Sequence, residues 1–333
     1  MYDVVLLTLG SERDAPGGGC GSGGACCGGA SEATGEGPEE RCETPRVPVL
    51  ACADALTARG ARVTTVTARS DAEIDEVLAG LDGPPRADGL TWPDPDGKTR
   101  LVVATASDGQ LRAVLRRLVR RYAPPPSRRP ADLAENRTLP DLPPVGVLPL
   151  DPARAGAARD LAAQLGLPRD PAAVAAAVLG GTARRLDLLR NDGGSVTLDG
   201  ALLGAADDAT GRPLAWRARV EVDGTVLSDG TEPITACAIG NAGGYARLGE
   251  VALLSDPDPT DGRVVVGVAV PVVARSALGR KRVRLEVRRA RGRAVAVVPR
   301  DGKVPYLDDG VEGELSRKRS WWTEPGAWAV WTG

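Results

Sequence analysis

The chain has no histidine. Ser-His-Asp triads, histidine metal sites and imidazole acid–base work are thereby excluded together. Proton transfer falls to Asp, Glu, Lys, Tyr or Cys. The residues that could carry chemistry sit in a few short turns. Asp108-Gly109-Gln110 follows an apolar run. Gly156-Ala157-Ala158-Arg159-Asp160 follows another. Asp258 and Asp261 share one acidic loop, and Asp308-Asp309-Gly310-Val311-Glu312 lies near the end. Arg112 and Arg159 stand beside the first two turns. Guanidinium groups bind phosphate well, although on a helix they serve equally as plain solvated charges. Asp258 and Asp261 offer oxygen ligands to a hard cation, and a solvated hairpin turn uses the same residue types.

Two other constellations stand apart. Cys20, Cys26, Cys27, Cys42 and Cys52 lie in the first 52 residues, and Cys237 lies far away. None is in Cys-x-x-Cys spacing, so neither a zinc ribbon nor a thioredoxin-like site is supported. An adjacent pair in a Gly-rich segment leaves a soft-metal or redox-sensing protein as an alternative, beside simple composition drift. Trp321, Trp322, Trp328 and Trp331 crowd the C-terminus. With no Phe in the chain, some of them must fill a core. An exposed Trp321-Trp322 pair beside Arg317, Lys318 and Arg319 would instead anchor at a bilayer interface.

The elements that position these residues read as two grammars. Up to about residue 185, apolar runs at Val4–Leu9, Arg62–Thr67, Arg100–Ala106 and Val145–Leu150 alternate with helical spacing. The helical stretches are 50–60, Asp71–Leu81 with Ser70 as cap, Gly109–Tyr122, Ala153–Leu165 and Pro171–Leu179. Alternation of this kind predicts a parallel sheet covered on both faces, with ligand-binding loops at its C-terminal edge. Residues 11–46 are Gly/Cys-rich and read as a flexible insert. Residues 123–144 are a Pro-rich insert. Residues 186–333 read as a mostly antiparallel β domain, sandwich-like, with Asp-Gly turns between strands. A last strand at Trp328–Trp331 is placed so that it can return to the first domain. In the basic run 279–293, Val283, Leu285 and Val287 are expected on one strand face. Arg282, Arg284, Glu286 and Arg288 fall on the other, which is either solvated or meets lipid headgroups.

At 333 residues two cores are the default. The net charge of -2 gives no case for nucleic acid. Met1-Tyr2-Asp3 is not the basic start of a signal peptide. The run Val264–Ala274 is too short to span a bilayer. The expectation is a cytoplasmic protein that can visit the inner membrane face.

Order, spacing and strand context together resemble the bacterial diacylglycerol kinase catalytic family. The likeness covers most of the chain outside the two inserts. Ala106-Ser107-Asp108-Gly109-Gln110 stands where that family has Gly-Gly-Asp-Gly-Thr, the turn that cradles nucleotide phosphates. Gly156 to Asp160, ahead of Leu165-Gly166-Leu167-Pro168, is similar to its Gly-Thr-Ala-Asn-Asp segment. Residues 151–155 are extra. Ile239-Gly240-Asn241 resembles its Gly-Asn-Gly stretch, and Asp309-Gly310 its Asp-Gly-Glu. The resemblance implies ATP held at Asp108, Gly109, Gln110, Gly156, Arg159 and Asp160. It implies Mg²⁺ at Asp258 and Asp261, and Asp309 with Glu312 at the lipid hydroxyl. It further implies a lipid substrate or membrane surface as partner, and it admits a homodimer.

The departures bear on mechanism. Ala106 and Ser107 replace glycines whose backbone freedom the phosphate turn uses. Val311 stands at the position of the glutamate, so Glu312 would act from one residue along a strand, where side chains alternate faces. Three readings follow: an ATP-dependent lipid kinase, a kinase-fold protein that binds lipid or nucleotide without catalysis, and a thiol-based protein.

Overall fold

The computed structural model describes residues 1–10, 46–155, 157, 159–206, 212–275 and 281–333. Gly156, Cys20, Cys26, Cys27, Cys42 and the insert up to residue 45 lie outside the described residues.

The first strands pair in parallel. β1 (Asp3–Leu9) lies between β2 (Arg62–Ala68) and β3 (Thr99–Thr105), and β3 pairs with β4 (Val145–Pro149). Alternate residues face opposite ways, so each strand feeds two cores. Val4, Leu6, Val102, Ala104 and Leu148 pack under α1 (Arg46–Ala58). Leu7, Leu101, Val103 and Val147 pack under α2 (Asp71–Ala79) and α3 (Asp108–Tyr122). Ser70 caps α2 by accepting from the Glu73 amide at 3.2 Å. Two further helices follow, α4 (Leu161–Gln164) and α5 (Pro171–Gly180), and α5 joins the face under α1.

Beyond these the regular elements among the described residues are strands, apart from a 3₁₀ turn at Gly243–Tyr245: β5 (Thr182–Asn191), β6 (Val196–Thr197), β7 (Gly200–Leu203), β8 (Ala218–Val222), β9 (Thr225–Asp229) and β10 (Ala236–Gly240). Then come β11 (Arg247–Leu248), β12 (Val251–Ala252), β13 (Val264–Arg275), β14 (Lys281–Gly292), β15 (Ala294–Pro299), β16 (Val304–Asp308), β17 (Val311–Leu315) and β18 (Arg319–Thr332). β18 joins the two grammars. Its Val330 lies beside Val145 in parallel, and the same strand runs antiparallel to β5 and β15. One sheet therefore runs β2-β1-β3-β4-β18-β15-β8-β9, and a second runs β14-β13-β10-β7-β16-β17. Val220, Val295, Ile239, Val266, Val268 and Trp321 fill the space between them.

Four expectations change. The helix expected over Ala153–Leu165 is a 3₁₀ turn at Pro152–Arg154 followed by the short α4. Asp160 is extended (φ -122°, ψ 93°) and caps α4, which breaks the run. Trp321 is no bilayer anchor, because it is fully buried between the sheets. Trp322 is half-buried and donates to Glu324 at 2.9 Å. On β14 the apolar face is only partly covered, and Val283 is 71% exposed. β7, β9, β16 and β17 had no clear signal of their own, being short or interrupted by Gly, Pro and charged residues.

Candidate functional site

The site forms where α3, the turn before α4, and the β16–β17 hairpin meet. Ser107 is extended and caps α3, its Oγ accepting from the Gln110 amide at 3.3 Å. Gln110 reaches back, and its Oε1 accepts from the Ala106 amide at 2.7 Å. This is a shifted capping box, its return bond made to the residue before the cap. The Ser107 amide donates to Thr105 Oγ1 at 3.1 Å. The amides of Ala106, Ser107 and Gln110 are thus taken by side chains of the same turn. Gly109 is where the helix touches the hairpin, since a Cβ there would lie 2.8 Å from Val311 Cγ2.

Asp108 accepts from Arg154 Nη2 at 2.7 Å and from the Leu161 amide at 3.4 Å. Burial pushes its carboxyl above the ordinary range, with Arg154 acting against that. Arg154 also donates to the Arg159 carbonyl at 2.5 Å. Asp160 caps the Ala163 amide at 3.3 Å and pairs with Arg169. The Arg159 guanidinium lies over the Tyr245 ring, 4.9 Å from its centroid. The space enclosed by Thr105, Asp108, Arg154 and Asp160 is about 20 Å³, room for about one water.

Asp309 is fully buried in a two-residue turn, with φ of 49° at Asp309 and 79° at Gly310. Asp and Gly are the residues that tolerate these left-handed positions. Its carboxylate accepts from the amides of Leu198 (2.7 Å), Asp199 (2.9 Å) and Gly200 (3.2 Å). Its own amide donates to the Gly200 carbonyl at 3.1 Å. Arg112 Nη2 donates to Asp308 Oδ2 at 2.9 Å and to Ser195 Oγ at 2.8 Å. Arg112 Nε donates to the Val196 carbonyl at 2.7 Å. Burial, then the adjacent Asp308 charge, holds Asp309 well above the usual carboxylate range, and burial raises Asp308 as well. Glu312 is exposed on β17, in register with Leu307, and takes no part in this cluster.

Asp199 completes the cluster, although its sequence context gives no signal. It accepts from the Gly244 amide at 2.8 Å and from Gln164 Nε2 at 3.2 Å. Burial raises its pKa to about 6. Tyr245 Oη accepts from the Gly310 amide at 2.8 Å. Asn241 holds the strands behind the cluster, donating to the carbonyls of Asp187 and Leu198 at 2.9 and 2.8 Å. Sequence reasoning also passed over Arg154, because it lies in the five extra residues. Burial thus raises the pKa of all three carboxyls, Asp199, Asp308 and Asp309.

Asp258 and Asp261 lie in the acidic loop before β13. Asp258 Oδ1 accepts from the Thr260 amide and hydroxyl at 2.9 and 2.6 Å. Asp261 accepts from the Arg263 amide at 2.9 Å and pairs with Arg291 at 3.3 Å. Among the described residues, no group of three or more Asp, Glu, Cys or His side chains is arranged to hold a metal. A guanidinium on Asp261 is the wrong neighbour for a dication. Asp258 and Asp261, so engaged, do not fit Mg²⁺, and at the turn before α3 three amides already have acceptors. Cys52 and Cys237 are buried free thiols, pushed up to about 11 and about 12 by burial. At such values they are inert rather than reactive. No helix among the described residues is long and apolar enough to cross a membrane.

No protein-family profile matches this sequence, and neither does any curated protein. Among solved structures, the fold is similar to the crystal structure of a diacylglycerol kinase from Bacillus anthracis str. Sterne. The similarity has a TM-score of 0.59 at 11% identity and spans 100% of this chain and 97% of that one. It is a likeness of fold over the whole length.

Proposed function

We propose that this chain is a diacylglycerol kinase-like protein that keeps the lipid-kinase scaffold without phosphoryl transfer, binding a lipid through it. The observation that carries this reading is the capping box at Ala106–Gln110. Phosphoryl transfer depends on amides and cations aimed at the phosphates. Here the amides of Ala106, Ser107 and Gln110 already have acceptors, and Arg154 is spent on Asp108. The full-length likeness of fold supports the lipid side of the reading.

A second reading, an ATP-dependent kinase acting on a lipid hydroxyl, has one observation in its favour. The turn at Asp108 and the hairpin at Asp309, far apart in sequence, touch through Gly109 and Val311. One experiment separates the two. The purified protein is given radiolabelled ATP, Mg²⁺ and vesicles containing diacylglycerol, and nucleotide binding is measured by calorimetry. The expected result is vesicle binding with no phosphorylated lipid and no nucleotide heat up to millimolar ATP. Phosphorylated lipid that is lost in Asp309→Asn overturns the first reading and establishes the second. Absence of both vesicle binding and turnover removes both.

A further inference from the structure

A second cavity lies at the other end of the sheet from Asp108. It opens where β3 begins, beside Arg100, and is walled by the loop before β3 and by the Pro-rich segment before β4. Its volume is about 610 Å³, within the range of small-molecule sites. The two loops that build it lie outside the strand-and-helix frame.

Its walls carry unpartnered donors. Trp92 Nε1, Arg100 Nε, Arg137 Nε, Arg137 Nη2 and Trp331 Nε1 are buried, and none has an acceptor. Leaving a buried donor unpaired is unfavourable, so several of them beside one cavity call for an explanation. All are donors, which specifies a ligand that brings acceptors. Three arginines and four aspartates line the cavity, and the arginines have few carboxylates of their own. Arg137 and Arg185 share one carboxylate, Asp141. Arg100 has no carboxylate, and instead lies between the rings of Tyr2 and Trp331, 3.5 and 4.3 Å from their centroids. Burial lowers the pKa of Arg100 and of Arg185. The other aspartates at the rim are already engaged: Asp132 with Arg86, Asp96 with Lys98, and Asp94 with the Asp96 amide. Proline rings, indoles, Leu133 and Leu142 make up most of the rest of the lining.

We propose that this cavity binds a small organic anion, a carboxylate or phosphate carried on an apolar body. The anionic group faces Arg137 and Arg100, and the apolar body lies against the prolines. The donors are buried, so Arg137 has to turn from its ion pair with Asp141 to meet the ligand.

The test titrates the full chain with octanoate, octyl phosphate, inorganic phosphate and octyl glucoside, by calorimetry and tryptophan fluorescence. The expected result is sub-millimolar binding of octanoate or octyl phosphate, and whichever binds more tightly identifies the headgroup. Arg137→Gln is expected to weaken that binding roughly tenfold or more, and Trp331→Phe several-fold, in proteins that melt cooperatively. The proposal is overturned if neither alkyl anion binds at millimolar concentration. It is equally overturned if octyl glucoside or inorganic phosphate binds as tightly, or if folded Arg137→Gln binds like the parent. These outcomes do not depend on the fate of the Asp108–Asp309 site.

Discussion

Asp199 holds a proton in the folded protein at pH values where the unfolded chain has lost it. Its folded pKa is about 6 against an ordinary 3.8, and burial is the main cause. Because the native state binds more protons, this group's contribution to stability is fully present below about pH 4. It is lost as pH rises to about 6. The shift of about two units corresponds to roughly 3 kcal/mol at most. Asp199→Asn is therefore expected to gain melting temperature relative to the parent at pH 7 and not at pH 4. An equal difference at both pH values would mean that folding does not shift the Asp199 carboxyl. At Gln110 the expectation concerns the turn. Gln110→Ala leaves the Ala106 amide without its acceptor and should cost about 1 kcal/mol in denaturant unfolding. If the capping box is what closes the phosphate turn, the same variant should show nucleotide heat that the parent lacks.

The elements are held by buried carboxylates that accept backbone amides across long sequence distances. Asp187, on β5, accepts from Gly262 at 2.6 Å and from Gly326 at 2.7 Å, while its amide donates to the Pro259 carbonyl at 2.7 Å. One side chain thus ties β5, the acidic loop and the bulge in β18. Asp187→Ala leaves both amides unpaired and is expected to cost roughly 2–5 kcal/mol, seen as a melting temperature lower by several degrees. A change within a degree would show that water replaces the carboxylate without loss. The acidic loop is therefore fixed from beneath by Asp187, which had not been singled out. The sequence pointed instead to Asp258 and Asp261, which serve as turn acceptors.

For the molecule as a whole, β18 is the decisive strand. It pairs with β5 along nearly its whole length, with β4 near its end and with β15 near its start. Trp328 and Val330 sit in the same core as Leu101 and Leu115, whereas Trp321 sits between the two sheets. A strand shared by two cores couples their unfolding. Calorimetry is expected to give one transition for the full chain, and deletion of the residues from Pro325 onward should abolish cooperative melting of both halves. Two separate transitions in the intact chain would show that the halves unfold independently.

The alternation of apolar runs with helical spacing was enough to place β1 to β4, α1 to α3 and α5, because period two and period 3.6 are written in consecutive residues. The cap at Ser70 and the turn at Asp309-Gly310 were legible for the same local reason. The sequence also settled the absence of imidazole chemistry. The rest depended on long-range pairing. Whether the amides at Ala106–Gln110 are open or closed depends on where the Gln110 side chain points, and no spacing rule states that. Asp199 joins the cluster only because β7, β16 and the segment at Gly244 converge, bringing residues more than a hundred apart within hydrogen-bond reach. Trp321 is core rather than anchor because a second sheet covers it. Burial is a property of what packs on top, and only the tertiary structure decides that.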